Sequence, residues 1–331
     1  MSSKQLAEEA LSISSSLSGL ILVDKAAGLT SHAVVSSVRK ILKMDKVGHL
    51  GTLDPFATGL LPILVGGSTR LSDEIMDGKK QYLFTISLGK ETDTLDYSGQ
   101  VVAEAAVPQD FDRKILGVLR EFTGNIEQVP PVYSALKMNG RPLYEYMRAT
   151  GKLPDSIETK KRSVCIENLE LVKCDLESQS VTLRVLCGKG TYVRSLARDI
   201  AKAIGTVGHC TQLRREYVEP WSVENAIYFS FAEKPSEQAL LDRLILPEQM
   251  LTTVAKVELS EEFLKLLSSG NVIVLGENQI VEKTSEKSIK SLVHGSKVFV
   301  SILNHDFMFL ADVEHIAAES IYKIKPKKKI R

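Results

Sequence analysis

Asp54 is the acidic residue whose surroundings most favour chemistry. It lies in an irregular, glycine-rich segment, with His49 upstream and Pro55 directly behind it. A carboxylate can act as a nucleophile or stabilise a developing charge. Taken alone, an Asp-Pro pair is typical of a turn or of a helix start, where the aspartate caps the first turn. The pair makes Asp54 a candidate without giving it a role.

Motifs for several other kinds of site are missing from the sequence. The segment Gly66-Gly67-Ser68-Thr69 has no lysine to bind a nucleoside triphosphate, no G-x-G-x-x-G follows the first predicted strand, and no H-E-x-x-H occurs. The six histidines are scattered, and the four cysteines form no C-x-x-C pair. We therefore expect no metal site, no nucleotide cofactor and reduced thiols.

Length, composition and charge favour a soluble protein of two domains. The chain has 331 residues, of which 44% are hydrophobic and 25% are charged, enough for a sizeable core. Lysine and arginine number 42 against 41 acidic residues, so a nucleic acid would have to be bound by local basic patches. No apolar run approaches the ~20 residues of a membrane span, and no signal peptide is evident. We expect a cytoplasmic protein that contacts no membrane, with residues 1–18 as a flexible leader.

Strands and helices mix along the chain without regular alternation. Residues 20–23 form an apolar run typical of a buried strand, and residues 82–88 alternate in polarity as a half-buried strand does. Residues 193–204 repeat apolar side chains at helical spacing. We therefore predict an α+β fold around a mixed, mostly antiparallel sheet with flanking helices. After Trp221 the pattern changes to short strands, which predicts a small β-rich domain beyond a boundary near residue 250.

Four further charged or aromatic residues have an ordinary explanation when each is taken alone. Arg194, Arg198 and Lys202 follow one another at four-residue spacing, which is typical of the solvated face of a helix. Tyr82 shares a strand face with Phe84, which is typical of a core aromatic residue. Local pattern alone therefore gives none of them a function.

The residues around Asp54 resemble a longer known pattern. They are similar to the signature loop of the TruB-type tRNA pseudouridine synthases, which isomerise a uridine of the T loop. The matching residues are Gly48-His49-x-Gly51-x-Leu53-Asp54-Pro55-x-Ala57-x-Gly59-x-Leu61-Pro62. A match of this length reverses the ordinary interpretation of the Asp-Pro pair, and it implies conversion of uridine to pseudouridine at position 55 of tRNA.

Further segments resemble the same family in the same order. They are Leu22-Val23-Asp24-Lys25-x-x-Gly28-x-Thr30-Ser31, Lys80-Gln81-Tyr82, Leu88-Gly89-x-x-Thr92-Asp93-Thr94-x-Asp96, Pro130-Pro131-x-Tyr133-Ser134-Ala135-x-Lys137, Tyr144-Glu145-Tyr146 and Lys189-Gly190-Thr191-Tyr192-x-Arg194. The resemblance implies a pseudouridine synthase catalytic domain over residues 19–250 and a PUA-like RNA-binding domain over residues 251–331. The segments with Tyr133 and Tyr144 are similar to the stand-alone bacterial branch. We therefore expect a monomer that acts on the T-arm stem-loop of tRNA without a guide RNA.

By this resemblance Asp54 is the catalytic carboxylate. The reaction breaks the bond from uracil N1 to the ribose, turns the base and rejoins it through C5, so it needs no redox cofactor and no energy donor. An ionised carboxylate in a site that excludes water needs a fixed cation. The family position of that cation is Arg194, and Asp96 resembles the acidic neighbour that holds it. Attack on the ribose and attack on the base use the same residues, and both stay open.

The remaining family positions concern RNA and the flipped base. Tyr82 resembles the tyrosine that lies against the target base and can take a proton. His49, otherwise an ordinary loop histidine, resembles the residue that fills the stack left by the extruded uridine. Lys25 and Lys80 match family lysines and are expected to contact RNA, although a loop lysine is usually just solvated.

Two other functions fit the same sequence. A tRNA-binding folding chaperone would remodel RNA with catalysis secondary or absent, and the substitution Asp54→Asn would leave its folding assay intact. A carboxylate-dependent nucleoside hydrolase would release free uracil, whereas an isomerase retains every atom.

Overall fold

The structure is a computed structural model of the chain. It describes residues 17–134, 137–138, 141–142, 161–250, 255–276, 281–282, 296–302, 308–316 and 321–330. The predicted leader, apart from its last two residues, and the segment Tyr144-Glu145-Tyr146 lie outside the described residues.

Strands and helices are numbered here in chain order. The strands are β1 (Gly19–Lys25), β2 (Val47–His49), β3 (Thr58–Val65), β4 (Lys80–Leu88), β5 (Lys90–Thr92), β6 (Val101–Glu104), β7 (Gly124–Gln128), β8 (Lys137–Met138), β9 (Arg141–Pro142), β10 (Arg162–Asp175), β11 (Ser180–Cys187), β12 (Gly208–Val218), β13 (Trp221–Ser222), β14 (Ile227–Phe229), β15 (Ala255–Leu259), β16 (Ile273–Gly276), β17 (Val281–Glu282), β18 (Ser296–Ile302), β19 (Met308–Ile316) and β20 (Ile321–Lys329). The α-helices are α1 (Ser31–Ile41), α2 (Ser72–Ile75), α3 (Phe111–Val118), α4 (Val193–Ala203), α5 (Glu237–Leu241), α6 (Pro247–Met250) and α7 (Glu261–Ser268). Short 3-10 helices cover Gly66–Leu71, Leu119–Phe122 and Val223–Asn225.

A large mixed sheet forms the centre of the fold. Its strand order is β14-β1-β3-β12-β4-β11-β10-β7, with β2 beside β3 and β13 beside β12. The strand pairs are antiparallel except β1 with β14 and β3 with β12. The predicted α+β fold around a mixed, mostly antiparallel sheet is confirmed.

One face of the large sheet carries the main hydrophobic core. Ile21 and Val23 of β1 and Ile63 of β3 belong to this core, whereas their immediate neighbours in the chain point to the other face. Helices α1, α3 and α4 cover the same face, and α4 contributes Leu196 and Ile200. The apolar stripe that predicted α4 is therefore the stripe that packs on the sheet.

The opposite face of the large sheet is covered in part by C-terminal residues. One buried cluster joins strand residues to them and contains Leu20, Leu22, Leu50, Leu60, Leu64, Leu71, Ile75, Val218, Trp221, Met250, Leu310 and Ile330. An added Cβ on Gly67 would lie 1.5 Å from the carbonyl oxygen of Ile330. Lys328 also pairs with Asp73 at 3.3 Å. The last strand is therefore packed closely against the part of the chain that forms the large sheet.

The C-terminal region has a sheet of its own. Its order is β16-β20-β19-β18-β15-β17, and Leu275, Val313 and Ile324 lie in its core. A small β-rich C-terminal region is therefore confirmed, while the domain boundary at residue 250 and RNA binding by this region stay predictions. The basic residues near the chain end belong to strand β20. Among the described residues, no helix is long and apolar enough to cross a membrane.

Candidate active site

Three polar side chains and one glycine form a row across four neighbouring strands of the large sheet. Lys25 of β1 pairs with Gly59 of β3, Gly59 pairs with Arg215 of β12, and Arg215 pairs with Tyr82 of β4. Residues paired in this way project from the same face of a sheet. Gly59 has a φ of +103°, and a Cβ there would lie 2.3 Å from the Arg215 carbonyl oxygen. Glycine at this position therefore allows the main chain of β12 to approach β3 closely.

The loop that carries Asp54 is anchored to this row by buried side chains. Ser31 Oγ donates to the Leu53 carbonyl oxygen at 3.0 Å and accepts from the Leu53 N–H at 2.8 Å. Lys25 Nζ donates to the carbonyl oxygen of Pro55 at 3.3 Å. Because groups on both sides of Asp54 are bonded to the scaffold, the loop presents its carboxylate in a fixed position.

Asp54 and Asp96 share the guanidinium of Arg194. Arg194 Nε lies 2.9 Å from Asp54 Oδ2, and Nη2 lies 3.1 Å from Asp54 Oδ1, which is the two-point geometry of a charge-assisted pair. Arg194 Nη1 lies 3.2 Å from Asp96 Oδ2. The Arg194 side chain is 5% exposed, whereas that of Asp54 is 33% exposed. The cation is thus enclosed while its carboxylate partner keeps one side open.

Arg194 and Asp96 each have additional partners that fix them. Arg194 donates to the main-chain oxygens of Thr94 at 2.7 Å and Tyr133 at 2.9 Å. Asp96 Oδ1 accepts from Thr94 Oγ1 at 2.9 Å and from the Ser98 N–H at 3.0 Å. The carboxylate, guanidinium and second carboxylate therefore form one connected network.

The start of helix α4, which carries Arg194, is held by a glutamine that the sequence analysis missed. Gln128 Oε1 accepts from the Tyr192 N–H at 2.8 Å, and its Nε2 donates to the Tyr192 carbonyl oxygen at 3.0 Å. Ser195 Oγ donates to the Val129 carbonyl oxygen at 2.8 Å. Gln128 is 1% exposed, so both bonds are shielded from water. No local pattern identifies this residue, because its partner lies 64 positions away.

The other two residues of the predicted basic face point elsewhere. Arg198 pairs with Asp199 at 2.8 Å. Lys202 pairs with Glu91 at 3.1 Å. Of the three basic residues, Arg194 is therefore the one that lies in the site.

Tyr82 and His49 both lie near Arg215. Tyr82 and Arg215 are direct partners on the neighbouring strands β4 and β12, so their side chains lie side by side on one face of the sheet. Burial raises the pKa of Tyr82, and the Arg215 charge opposes that shift. Burial lowers the pKa of His49, and the charges of Arg215 and His32 lower it further. His49 Nδ1 is buried and has no hydrogen-bond partner within the described part of the chain.

Lys25 is placed differently from the RNA contact that the resemblance implied. Its side chain is fully buried, because β1 directs it to the face of the main core. Its Nζ donates to the carbonyl oxygens of Ala26, Leu29, Pro55 and Ala57. The ammonium group therefore lies beneath the loop and supports it, where a phosphate does not reach.

Lys80 is also engaged with main-chain oxygens. Its Nζ donates to the carbonyl oxygens of Met76 at 2.7 Å and Gly78 at 2.5 Å. Burial lowers its pKa, and the charge of Arg215 adds to that effect. Because the side chain is half-buried, it lies at the edge of the site and keeps some access to solvent.

Burial and neighbouring charges have opposing effects on the pKa values of Asp54 and Lys25. Burial raises the pKa of Asp54, the Arg194 charge lowers it, and the Asp96 charge raises it again. Burial lowers the pKa of Lys25 to about 8, with Asp54 opposing the shift. No three His, Cys, Asp or Glu side chains among the residues that the structure describes come together as a metal site. The arrangement can hold a carboxylate beside a fixed guanidinium, next to a tyrosine on the same side of the sheet.

Arg215 is the second residue that the sequence analysis missed. It is 1% exposed, and its Nε donates to the Leu60 carbonyl oxygen at 2.7 Å while Nη2 donates to the Gly51 carbonyl oxygen at 3.1 Å. A signal was present, because Arg215 follows the buried Leu213 at two-residue spacing and so has the inward position of a strand. A charged residue at an inward position is rare unless it is paired or functional.

The chain is similar to known proteins in both sequence and structure. The model of the "TruB family pseudouridylate synthase (N terminal domain)" matches residues 39–193. The chain is 42% identical over 255 residues to the tRNA pseudouridine synthase B of Aromatoleum aromaticum, covering 77% of this chain and 80% of the relative. It is 37% identical over 350 aligned positions to the enzyme of that name from Psychrobacter cryohalolentis, covering 95% and 94% of the two chains.

Two solved structures have the same fold at lower sequence identity. One is a chain from an H/ACA RNP bound to a substrate RNA containing 2'-deoxyuridine, with a TM-score of 0.65, 22% identity and coverage of 97% of this chain and 87% of that one. The other is from a Cbf5-Nop10-Gar1 complex, with a TM-score of 0.64, 23% identity and coverage of 96% and 85%. These likenesses concern the fold.

Proposed function

Since the chain belongs to the TruB family of pseudouridylate synthases, we propose that it converts uridine to pseudouridine in the T loop of tRNA, at position 55. The observation that carries this proposal is the buried two-point pairing of Arg194 with Asp54, whose carboxylate keeps one side open. The relatives named tRNA pseudouridine synthase B support tRNA as the substrate.

Asp54 is the catalytic carboxylate of this proposal. It acts either at the ribose or at the base, while the bond from N1 to the ribose breaks and a bond from C5 to the ribose forms. The proton at C5 is lost and N1 gains one, so all atoms of the uridine are retained after exchange with solvent. Arg194 holds the carboxylate in its reactive orientation and favours its ionised form. Asp96 holds Arg194, and both groups are fixed before the RNA arrives, which avoids reorganisation during the reaction.

The target nucleotide has to leave its stack to reach Asp54. Tyr82 offers a flat ring with a polar end against the base, and it can take a proton during the rearrangement. His49 fills the vacated stack, where a planar side chain offsets the lost stacking. Lys80 contacts a phosphate at the edge of the site, and Lys25 shapes the loop.

The partner and the setting are part of the same proposal. The C-terminal sheet would grip tRNA away from the T-arm stem-loop, because RNA is recognised largely through shape and phosphate contacts. We propose that the protein acts as a monomer, in the cytoplasm, without a guide RNA and without a cofactor.

A T-arm stem-loop transcript tests this proposal. Wild-type protein should form pseudouridine from it, measured by nucleoside analysis, and a transcript with cytidine at the target position should be unchanged. Asp54→Asn should abolish turnover and keep the affinity for RNA. Release of free uracil would identify a hydrolase instead. Folded protein that makes no pseudouridine but remodels tRNA equally well with Asp54→Asn would identify a chaperone.

A further inference from the structure

Arg215 is a buried cation at the centre of the site, and it does not belong to the ion network of Arg194. It stands in the row of four strands, between Gly59 on one side and Tyr82 on the other. None of the described ion pairs includes it, so its charge has no carboxylate partner among these residues. Burying a charge without a counter-ion costs stability. A residue that only filled space here would be apolar, which indicates a role in function.

Arg215 connects three parts of the site. Its Nε donates to the Leu60 carbonyl oxygen on β3, and its Nη2 donates to the Gly51 carbonyl oxygen in the loop that carries Asp54. It is also the direct strand partner of Tyr82 on β4, so the two side chains lie side by side on one face of the sheet. The guanidinium has a planar fork of five donors, and a lysine ammonium cannot reach two separated acceptors with the same geometry.

Gly51 makes room for the side chain of Arg215, and Gly59 makes room for its main chain. A Cβ on Gly51 would lie 3.3 Å from Arg215 Nη1, and Gly51 has a φ of +75°. On the other side, Gly59 lets the main chain of Arg215 approach β3. Two glycines of the loop and its following strand are thus matched to one arginine from a strand more than 150 residues later.

We propose that Arg215 is a positioning residue, which fixes the Tyr82 phenol against the Asp54 loop so that both groups face the same nucleotide. This inference rests on the proposed function. Tyr82 lies on β4 and Asp54 in a separate loop, and Arg215 pairs with Tyr82 across the sheet while it donates a hydrogen bond to that loop. The positive charge beside the phenol also favours its ionised form, which is the form that accepts a proton.

The test is a double-mutant cycle between Arg215→Lys and Tyr82→Phe, read as steady-state kcat and KM on the T-arm transcript. Arg215→Lys should lower kcat by about 10- to 100-fold and leave KM and the affinity for RNA within about twofold. In the Tyr82→Phe background the same substitution should cost almost nothing, because Arg215 acts through the phenol. An equal loss in both backgrounds would overturn the proposal, because it would mean that Arg215 affects catalysis independently of Tyr82.

Arg214→Lys is the matched control. Arg214 is the neighbouring arginine and points to the other side of β12, where it forms a two-point pair with Asp24 at 3.0 and 2.8 Å. It should leave kcat unchanged. Urea unfolding of each variant shows whether the substitution destabilises the fold. If kcat falls in both arginine variants in proportion to the decrease in their urea midpoints, the loss reflects stability alone, and the proposal is overturned.

A readout without RNA separates this inference from the proposed function. Tyrosine labelled with ¹³C at the phenol carbon gives a titration curve for Tyr82, assigned by its loss in Tyr82→Phe. Because the Arg215 charge opposes the raised pKa of this phenol, removal of that charge in Arg215→Gln should raise the pKa further. An unchanged titration in Arg215→Gln would refute the proximity of the two groups. A wild-type protein that makes no pseudouridine but shows the shift would refute the proposed function and leave their proximity standing.

Discussion

Replacing Asp96 by asparagine should weaken the fold and, at the same time, let the enzyme work at lower pH. Arg194 Nη1 lies 3.2 Å from Asp96 Oδ2, a gross attraction of about 5 kcal/mol at an effective dielectric constant of about 20. The asparagine oxygen can still accept from Thr94 and Ser98. We therefore expect the free energy of unfolding to fall by about 2–4 kcal/mol, which a domain of ordinary stability survives.

The pH effect of the same substitution has the opposite sense. The charge of Asp96 raises the pKa of Asp54, so its removal should lower that pKa. Asp54 is active when ionised, and it would then stay ionised at lower pH. The acid limb of the single-turnover rate should move to lower pH in Asp96→Asn than in the wild type.

Urea unfolding and a pH–rate profile measure the two effects separately. Glu104→Gln is the control, because it removes a carboxylate from the exposed pair with Lys90 and should change stability by less than about 1 kcal/mol. An acid limb that stays in place, or moves to higher pH, would contradict the coupling between the two carboxylates. Unchanged stability would show that Arg194 does not depend on Asp96.

Three further substitutions test the scaffold. Gly59→Ala should lower the free energy of unfolding by roughly 2–5 kcal/mol in equilibrium denaturation, because the left-handed φ costs about 1–2 kcal/mol and the close approach of Arg215 about 1–3 kcal/mol. Gln128→Ala leaves the main-chain groups of Tyr192 unpaired, so it should cost about 2–4 kcal/mol and lower kcat. Lys25→Met should lower kcat but leave unchanged the slope of log Kd against log salt, which loss of one phosphate contact would reduce by about 0.7–0.9.

The sequence predicts the helices and strands of this fold better than it predicts the contacts between them. The stripe of helix α4 and the alternation of β4 follow from local periodicity. The row of Lys25, Gly59, Arg215 and Tyr82 depends on the register of four strands that are far apart in the chain, and register is decided by tertiary pairing. Lys25 therefore looked like a surface residue near a loop, although its position in β1 turns it inward.

The candidate catalytic network shows the same division. Asp54, Arg194 and Asp96 could be named because they match a family pattern, whereas their supporting residues match no pattern that acts at short range. Gln128 reaches Tyr192 across 64 positions, and such a contact has no local signature. A buried arginine at an inward strand position is a signal that sequence analysis can use, as Arg215 demonstrates.

The packing of Ile330 and Leu310 on the back of the large sheet has a practical consequence. Leu64 and Leu71 are almost fully buried in the cluster that these residues complete, so a fragment that stops at residue 250 would expose a hydrophobic surface to water and would tend to aggregate. The two halves should melt in a single calorimetric transition. An affinity tag for purification is better attached ahead of Met1 than behind Arg331.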